Sequence, residues 1–544
     1  DRAEGVLPDS LAAADGRLLL AAAALSPTPD GPAPAGVLDG RIARPRLLGR
    51  DGATPLAAWD FFRAAGTTRI VGLDGAGDGQ TLNRPTRLST GPGWPGDAKS
   101  CDPTPETHDA IHFHDDDVAD VGWPASHALT VPEDLPSGVY ALRLRTPSAE
   151  DHLPFFVCPR PGAATARLAV LMPTMSYLAY SNESLDVREG VQMAPRQAMD
   201  LRPEAYAYVA EHGLKSTYDK HRDGSGIVHA SRRRPIIDFR PKARCRTFDA
   251  PHQFPADLHL IDWLTERGYA FDILTDDLLH REGSAALAGY RAVITGSHPE
   301  YWTTRMLDAR DAWLDAGGRL MYLGGNGFYW VTGVAEDDPD LIEIRRCHGT
   351  RTWTAEPGEE TISLTGERGG LWLHRGRAPE IRMGVGFTGQ GFDRGQPFHR
   401  TPESRDPRWA WIFAGVDEDV VGAGRSLVLG HGAAGFEIDK ASPANGTPAH
   451  AVVLASTRGF TDAYQAAVET FDQVTPWLGG SDPRSGIQGD ILYLAGPNGG
   501  AVFSAGSITW SATLSAEGYD SDTARITANV IDAFLGETLP TGDA

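Results

Sequence analysis

The sequence predicts an α/β protein, a doubly wound and mainly parallel sheet, joined to a β-rich N-terminal region. Three observations predict it. Between residues 291 and 330 an apolar strand, an amphipathic helix and a second apolar strand follow one another, with glycine-rich turns at the joins. From residue 161 onward strand patterns alternate with helical ones, the rhythm of a parallel sheet with crossover helices. Before residue 160 only short alternating runs appear, split by Pro, Gly and Asp, which is the rhythm of β-strands and turns.

Taken in order, residues 1 to about 50 carry short apolar runs broken by Pro-Asp-Gly and Pro-Ala-Gly. The β pattern persists over residues 53–161, with strands expected at 138–144 and 153–157, and Pro159, Pro161 and Gly162 mark a linker. Beyond it, 168–172 reads as a strand, 258–267 as an amphipathic helix and 271–274 as a strand. Residues 291–295 form a β-branched run that Gly296-Ser297 ends. Met306, Leu307, Trp313 and Leu314 then recur at helical spacing before a Gly317-Gly318 stop. A second strand at 319–323 closes on Gly324-Gly325-Asn326-Gly327, giving a βαβ unit that should wind right-handed. Residues 163 to about 345 are therefore expected to hold the parallel sheet. After residue 361 β-runs return at 426–429, 451–455, 491–494 and 501–504, and a helix over 524–535 ends the pattern. The expected division is 1–160, β-rich, and 161–544, an α/β unit with a β-rich C-terminal extension.

Composition limits the function. A chain of 544 residues with 41% hydrophobic content can bury large cores and predicts two to four domains. A formal charge of −22 argues against nucleic acid or an anionic membrane as partner. The four cysteines, Cys101, Cys158, Cys245 and Cys347, are widely spaced and form no paired ligand motif, which fits a reducing cytoplasm. The apolar run at 18–25 is too short to span a bilayer and follows acidic residues, so it is neither membrane helix nor signal peptide. The chain starts at Asp1 without methionine, so a fragment of a longer product or a processed chain is expected.

No G-x-S-x-G elbow, H-E-x-x-H or phosphate-binding glycine loop with Lys-Ser/Thr is present. Ser297 stands in a strand-ending turn, as a nucleophile would, or serves as a helix N-cap. His298, Glu300, Tyr301 and Asn326 lie at the carboxyl ends of the two central strands, where open α/β sheets bind ligands. A His and a carboxylate there can shuttle protons or hold a water-bearing metal, and can equally be a hydrogen-bonded turn. In the run over 109–117, His112 and His114 share one strand face ahead of three aspartates. That pattern can ligate a divalent metal, or be a strand edge with an acidic turn. Three dispersed segments, 215–221, 257–263 and 341–346, which composition alone does not single out, hold phenol, imidazole and carboxylate groups, donors that together suit a ferric or similar Lewis-acidic ion. Singly, these three are also a turn tyrosine, a polar helix position and a strand carboxylate.

The segments GSHPEYWT, GGRLMYLGGNGFYW, HFHDDD, STYDKHRDGSG, AGFEID and PNGGAVFSAGSITW together resemble the large subunit of N,N-dimethylformamidase and its homologues, over about residues 36–535. The resemblance implies a metal-dependent hydrolase that splits N-substituted formamides into formate and amine. It also implies a lectin-like β-sandwich joined to a domain like the class I glutamine amidotransferases without their cysteine, and a small partner subunit. It implies a mononuclear iron held by two tyrosines and one glutamate. Carried onto this chain, one tyrosine falls on Tyr218, the glutamate on Glu343 and the second tyrosine on His259, with Tyr301 as the other tyrosine available. Imidazole in place of phenolate removes a negative charge, so zinc or another divalent metal would compete with ferric iron. His298 or Glu300 would protonate the departing amine. The expectation is a cytoplasmic hydrolase of small amides, oligomeric with itself or with a small subunit, and with no nucleic-acid or membrane partner. The other reading is a non-catalytic carbohydrate- or partner-binding protein on the same scaffold, kept open by His259 at a ligand position. A glutaminase-type amidotransferase is disfavoured by the missing cysteine.

Overall fold

The computed structural model describes residues 18–28, 31–96, 102–183, 203–245, 250–347, 352–467 and 479–540. Cys101 lies outside them. After residue 160 the chain is organised by a nine-stranded sheet. Five neighbouring strands are parallel, in the spatial order Phe271–Thr275, Leu168–Met172, Ala292–Thr295, Arg319–Tyr322 and Ala501–Ser504. The sheet continues antiparallel through Gly489–Ala495, Val452–Thr457, Phe398–Arg400 and Val420–Val421.

The parallel strands are mainly apolar because both of their faces are covered, with polar residues such as Asp272 and Arg319 near their ends. Alternate residues point to opposite sides. Leu168, Val170, Met172, Ile273, Ile294 and Phe503 enter one core, while Ala169, Leu171, Leu274, Val293, Leu320 and Val502 enter the other. Each large apolar side chain contributes about 1.5–3 kcal/mol when fully buried, so such strands gain most in the middle of the layered structure.

The helix between the two central strands runs Thr304–Asp315, and the Thr303 hydroxyl accepts from the Met306 N–H as its cap. Met306, Leu307, Trp313 and Leu314 form its buried stripe. Gly317, at φ +101°, turns the chain into the next strand. Gly318 leaves room for the Trp313 indole, which occupies the place a Cβ would take.

Beyond the carboxyl ends of these strands lies a four-stranded sheet in the order His229–Ser231, Leu341–Ile344, Trp330–Val334 and Tyr301–Trp302. One expected strand is absent. Residues 426–429 form a turn, in which the Leu427 N–H bonds to Ala512 O and Val428 packs with Phe392, Phe436 and Ile508. This apolar run is buried by local packing and needs no ladder.

In the N-terminal region, Gly40–Ala43, Ala110–Phe113 and Thr86–Ser89 form a three-stranded sheet. Phe61, Ile70 and Ile111 make a small separate core there. Among the described residues no helix is long and apolar enough to cross a membrane.

Candidate functional site

The site is built at the turns that follow the parallel strands. Gly296 ends the Ala292–Thr295 strand where a Cβ would stand 2.5 Å from Asp257 Oδ2 and 2.6 Å from Pro173 Cδ. Asp257 lies in the first turn of the Phe254–Glu266 helix and accepts from the Ser297 N–H at 2.6 Å and the Tyr177 hydroxyl at 2.5 Å. Ser297 therefore pins this turn through its backbone. It caps no helix, since Thr303 does that. Gly324 and Gly325 let the next turn approach the Ser297 and Glu437 carbonyls. Asn326 follows in the left-handed region at φ +47°, a conformation Asn tolerates better than most residues.

Glu300 is the hub of the cluster and is 2% exposed. Its Oε2 accepts from the hydroxyls of Tyr180 at 2.8 Å and Tyr218 at 3.1 Å. Its Oε1 accepts from Asn326 Nδ2 at 3.2 Å and Trp330 Nε1 at 3.0 Å. The Tyr218 and Tyr301 oxygens are 2.5 Å apart, and Arg346 Nη2 donates to the Tyr301 oxygen at 2.6 Å. The Arg346 guanidinium also lies 4.1 Å from the Tyr218 ring centre, within cation–π range. His298 Nδ1 accepts from Gln253 Nε2 at 3.1 Å, which leaves the proton on Nε2. That nitrogen faces Glu437 Oε2 at 2.9 Å and Glu300 Oε2 at 3.4 Å.

Burial dominates the electrostatics. It pushes the Glu300 carboxyl up to about 7 and, aided by the Glu300 charge, raises the Tyr180 and Tyr218 phenols well above their ordinary range. Burial lowers the His298 imidazole. For Arg346 burial opposes the charge, but Tyr301, Tyr218 and Glu300 outweigh it and hold the guanidinium protonated.

Of the sequence-predicted residues, the structure brings together Tyr218, His298, Glu300, Tyr301 and Asn326. It does not bring Glu343 or His259 to them. Glu343 Oε1 is taken by Arg345 Nε at 2.6 Å, and Oε2 by the Ser363 hydroxyl at 2.7 Å and the Leu364 N–H at 3.0 Å. The cause is strand alternation: residues 343 and 345 share one face, and the next residue, Arg346, is the one that reaches the cluster. His259 lies two residues beyond Asp257 on one helix, a turn of about 200° at 3.6 residues per turn, so it faces away from the Ser297 turn. Burial lowers its imidazole to about 4, and its Nδ1 has no hydrogen-bond partner among the described residues.

Tyr180 was not singled out from the sequence. It stands at the C-terminal cap of the short Thr174–Ala179 helix, after the central Leu168–Met172 strand. Its ring lies 4.3 Å from Tyr218, 4.9 Å from His252 and 5.4 Å from His298. The usable signal was its position, in the turn after a central parallel strand, on the edge that already carried Glu300.

Behind this wall, Asp439 accepts from the Tyr322 hydroxyl and the Asn326 N–H, each at 2.7 Å. Burial raises its carboxyl to about 7, against an ordinary 3.8. A carboxyl raised on folding contributes most below its unfolded value, and the contribution is lost as pH rises through the folded one. The parent's stability toward urea is therefore expected to fall from about pH 4 to 7, and Asp439→Asn to flatten that slope. An identical slope in the two proteins would remove Asp439 as its source.

Residues 87–522 match the family model described as N,N-dimethylformamidase beta subunit-like, C-terminal. The chain is 38% identical over 524 residues to the N,N-dimethylformamidase beta subunit of Paracoccus aminophilus, covering 91% of this chain and 68% of that protein. It is 38% identical over 507 residues to the N,N-dimethylformamidase beta subunit of an Alcaligenes species, covering 91% of this chain and 65% of that protein. The chain thus spans about two thirds of the length of these relatives. Among solved structures, the mmIFT52 N-terminal domain matches at 12% identity with a TM-score of 0.23, over 51% of this chain and 90% of that one, too low a likeness to bear on the fold.

Proposed function

The chain belongs to the N,N-dimethylformamidase beta subunit-like family, and from that premise we propose that it hydrolyses small N-substituted amides of the dimethylformamide type to a carboxylate and an amine. The observation that carries the proposal is the convergence of two tyrosine hydroxyls, Tyr180 and Tyr218, on the buried carboxylate of Glu300.

The mononuclear iron implied by the family resemblance is assigned to these three residues. The donor set fits a hard cation: Tyr180, Tyr218 and Glu300 would hold it through two phenolates and a carboxylate, the three oxygens that share protons here. Asn326 Oδ1, buried and accepting no hydrogen bond among the described residues, is a further polar atom beside the cluster. Such an ion supplies Lewis acidity toward an amide carbonyl and water. With Tyr180 as the second tyrosine, the sequence-level ground for zinc, imidazole in place of phenolate, falls away. So does the main ground for a non-catalytic binding protein.

The remaining roles belong to the chain itself. Asn326 and Trp330 hold Glu300 Oε1, which orients Oε2 toward the tyrosines. Arg346 lies over Tyr218 and donates to Tyr301, balancing the negative charge of this oxygen cluster. An amine cannot depart as its anion, so it needs a proton. His298 carries one on Nε2, and Glu437, 2.9 Å from that nitrogen, is positioned to accept the proton that water gives up and return it to the ring. In the balance, the amide C–N bond breaks, a C–O bond to water forms, and the two water protons end on the amine and the medium. Tyr301, in contact with Tyr218 and Arg346, is a positioning residue.

We read residues 161–544 as a glutamine amidotransferase-like α/β unit without the nucleophilic cysteine, and residues 1–160 as part of a lectin-like sandwich. Since the relatives are named beta subunits, a small partner subunit is included in the proposal, as is a cytoplasmic location. The test is metal analysis with product detection on the chain purified with whatever subunit accompanies it. Near-stoichiometric iron and release of formate and dimethylamine from N,N-dimethylformamide are expected. A preparation without stoichiometric metal, or one that is metal-loaded and releases no amine from any N-substituted amide, would overturn it.

A further inference from the structure

We propose a second metal site, apart from the tyrosine–glutamate cluster, in which His112, His114 and Asp223 hold a divalent cation of the zinc class. It stands independently of the hydrolase reading. The Ala110–Phe113 strand presents His112, and His114 follows two residues later on the same side. Both are buried, at 7% and 3% exposure, with ring centres 4.1 Å apart.

Asp223 comes from the opposite side, on a tight turn closed by the His221 N–H to Ser225 O at 2.8 Å and by Gly224 at φ +90°. Its Oδ2 lies 2.8 Å from His112 Nε2 and 3.8 Å from His114 Nε2, and the three ligand atoms all fall within 4.8 Å of one another. The carboxylate is held in place, since its Oδ1 accepts from the Ser225 N–H at 2.9 Å and hydroxyl at 2.6 Å.

A supporting shell is also present. His114 Nδ1 lies 3.3 Å from both oxygens of Asp117, the carboxylate–histidine arrangement that fixes a ligand's tautomer and aims its other nitrogen at the metal. Two imidazoles and a carboxylate make three ligands, which leaves a fourth tetrahedral position open. That side faces a cavity lined by Arg41, Thr86, Arg345, Trp353 and Glu359, where water or an anionic ligand can complete the shell. The borderline nitrogen and oxygen donors suit zinc, in contrast to the hard oxygen set around Glu300.

The site would tie the Ala110–Phe113 strand to the turn following Tyr218. Its occupancy should therefore stiffen the segment that carries one of the proposed iron ligands.

Equilibrium dialysis of the purified chain against zinc, with Co²⁺ absorption as a reporter of coordination, tests this. One zinc per chain beyond the iron is expected, with a tetrahedral Co²⁺ spectrum. Asp223→Asn changes an exposed residue and should fold normally by circular dichroism. It and the supporting-shell variant Asp117→Asn should each weaken zinc binding by about 10–100-fold, with iron content unchanged. Tyr180→Phe should leave the zinc in place. No zinc beyond the iron site, or zinc uptake unaltered in both aspartate variants, would overturn the proposal.

Discussion

Tyr180→Phe is expected to remove stoichiometric iron and to lower kcat/KM for the amide by at least about 100-fold, since even the loss of a residue that only orients a ligand typically costs 10–100-fold. The fold should survive. The phenyl ring keeps its packing against Tyr218 and His252, and losing one hydrogen bond to Glu300 costs about 1–3 kcal/mol. Tyr218→Phe and Glu300→Gln should behave alike, because each removes one of the three converging oxygens. His259→Ala should leave both iron and turnover as in the parent, since its ring faces away from the cluster. Metal analysis with steady-state kinetics on the four variants decides the matter. Iron retained in Tyr180→Phe and lost in His259→Ala would return the second ligand position to the helix.

Much of the scaffold was legible in the sequence because the physics that forms it leaves a period. The runs at 168–172, 271–274, 291–295 and 319–323 are mainly apolar, Asp272, Arg291 and Arg319 apart, with no polar–apolar alternation, as strands covered on both faces must be. His298, Glu300, Tyr301 and Asn326 were legible for a related reason: they follow those runs, where side chains must gather at one edge. The failures have equally specific causes. Residues 426–429 look like a strand, but apolar character records burial and not hydrogen-bonding pattern. Tyr180 caps a short helix with no motif of its own, and Tyr177, inside that helix three residues earlier, serves Asp257 instead; no motif separates the two. In the segment 341–346 the error is one of phase. A one-residue step on a strand exchanges the faces, so the carboxylate at 343 and the guanidinium at 346 point to different surroundings, and only coordinates reveal which face meets Glu300.

Glu343→Ala should accordingly damage stability and not metal binding. The Glu343–Arg345 pair is buried at 0% and 1% side-chain exposure, and Arg345 also donates to the Arg87 carbonyl at 2.8 Å, so it bridges the N-terminal region to the sheet at the edge. Removing the carboxylate strands a buried guanidinium and leaves the Ser363 hydroxyl and the Leu364 N–H without their acceptor. A loss of about 3–5 kcal/mol is expected, read as a lower denaturant midpoint. Although burial opposes ionisation, the Arg345 guanidinium wins and holds the carboxyl below its usual 4.5. The pair's contribution is thus present above that pH and fades as pH falls beneath it, so the variant should lose most of the parent's additional acid sensitivity. Replacing both partners, Glu343→Leu with Arg345→Met, should recover much of the deficit, because two apolar side chains of similar volume leave no buried charge. Folded Glu343→Ala should bind iron as the parent does. A folded variant without iron, at unchanged stability, would restore Glu343 as the carboxylate ligand and displace Glu300 from that role.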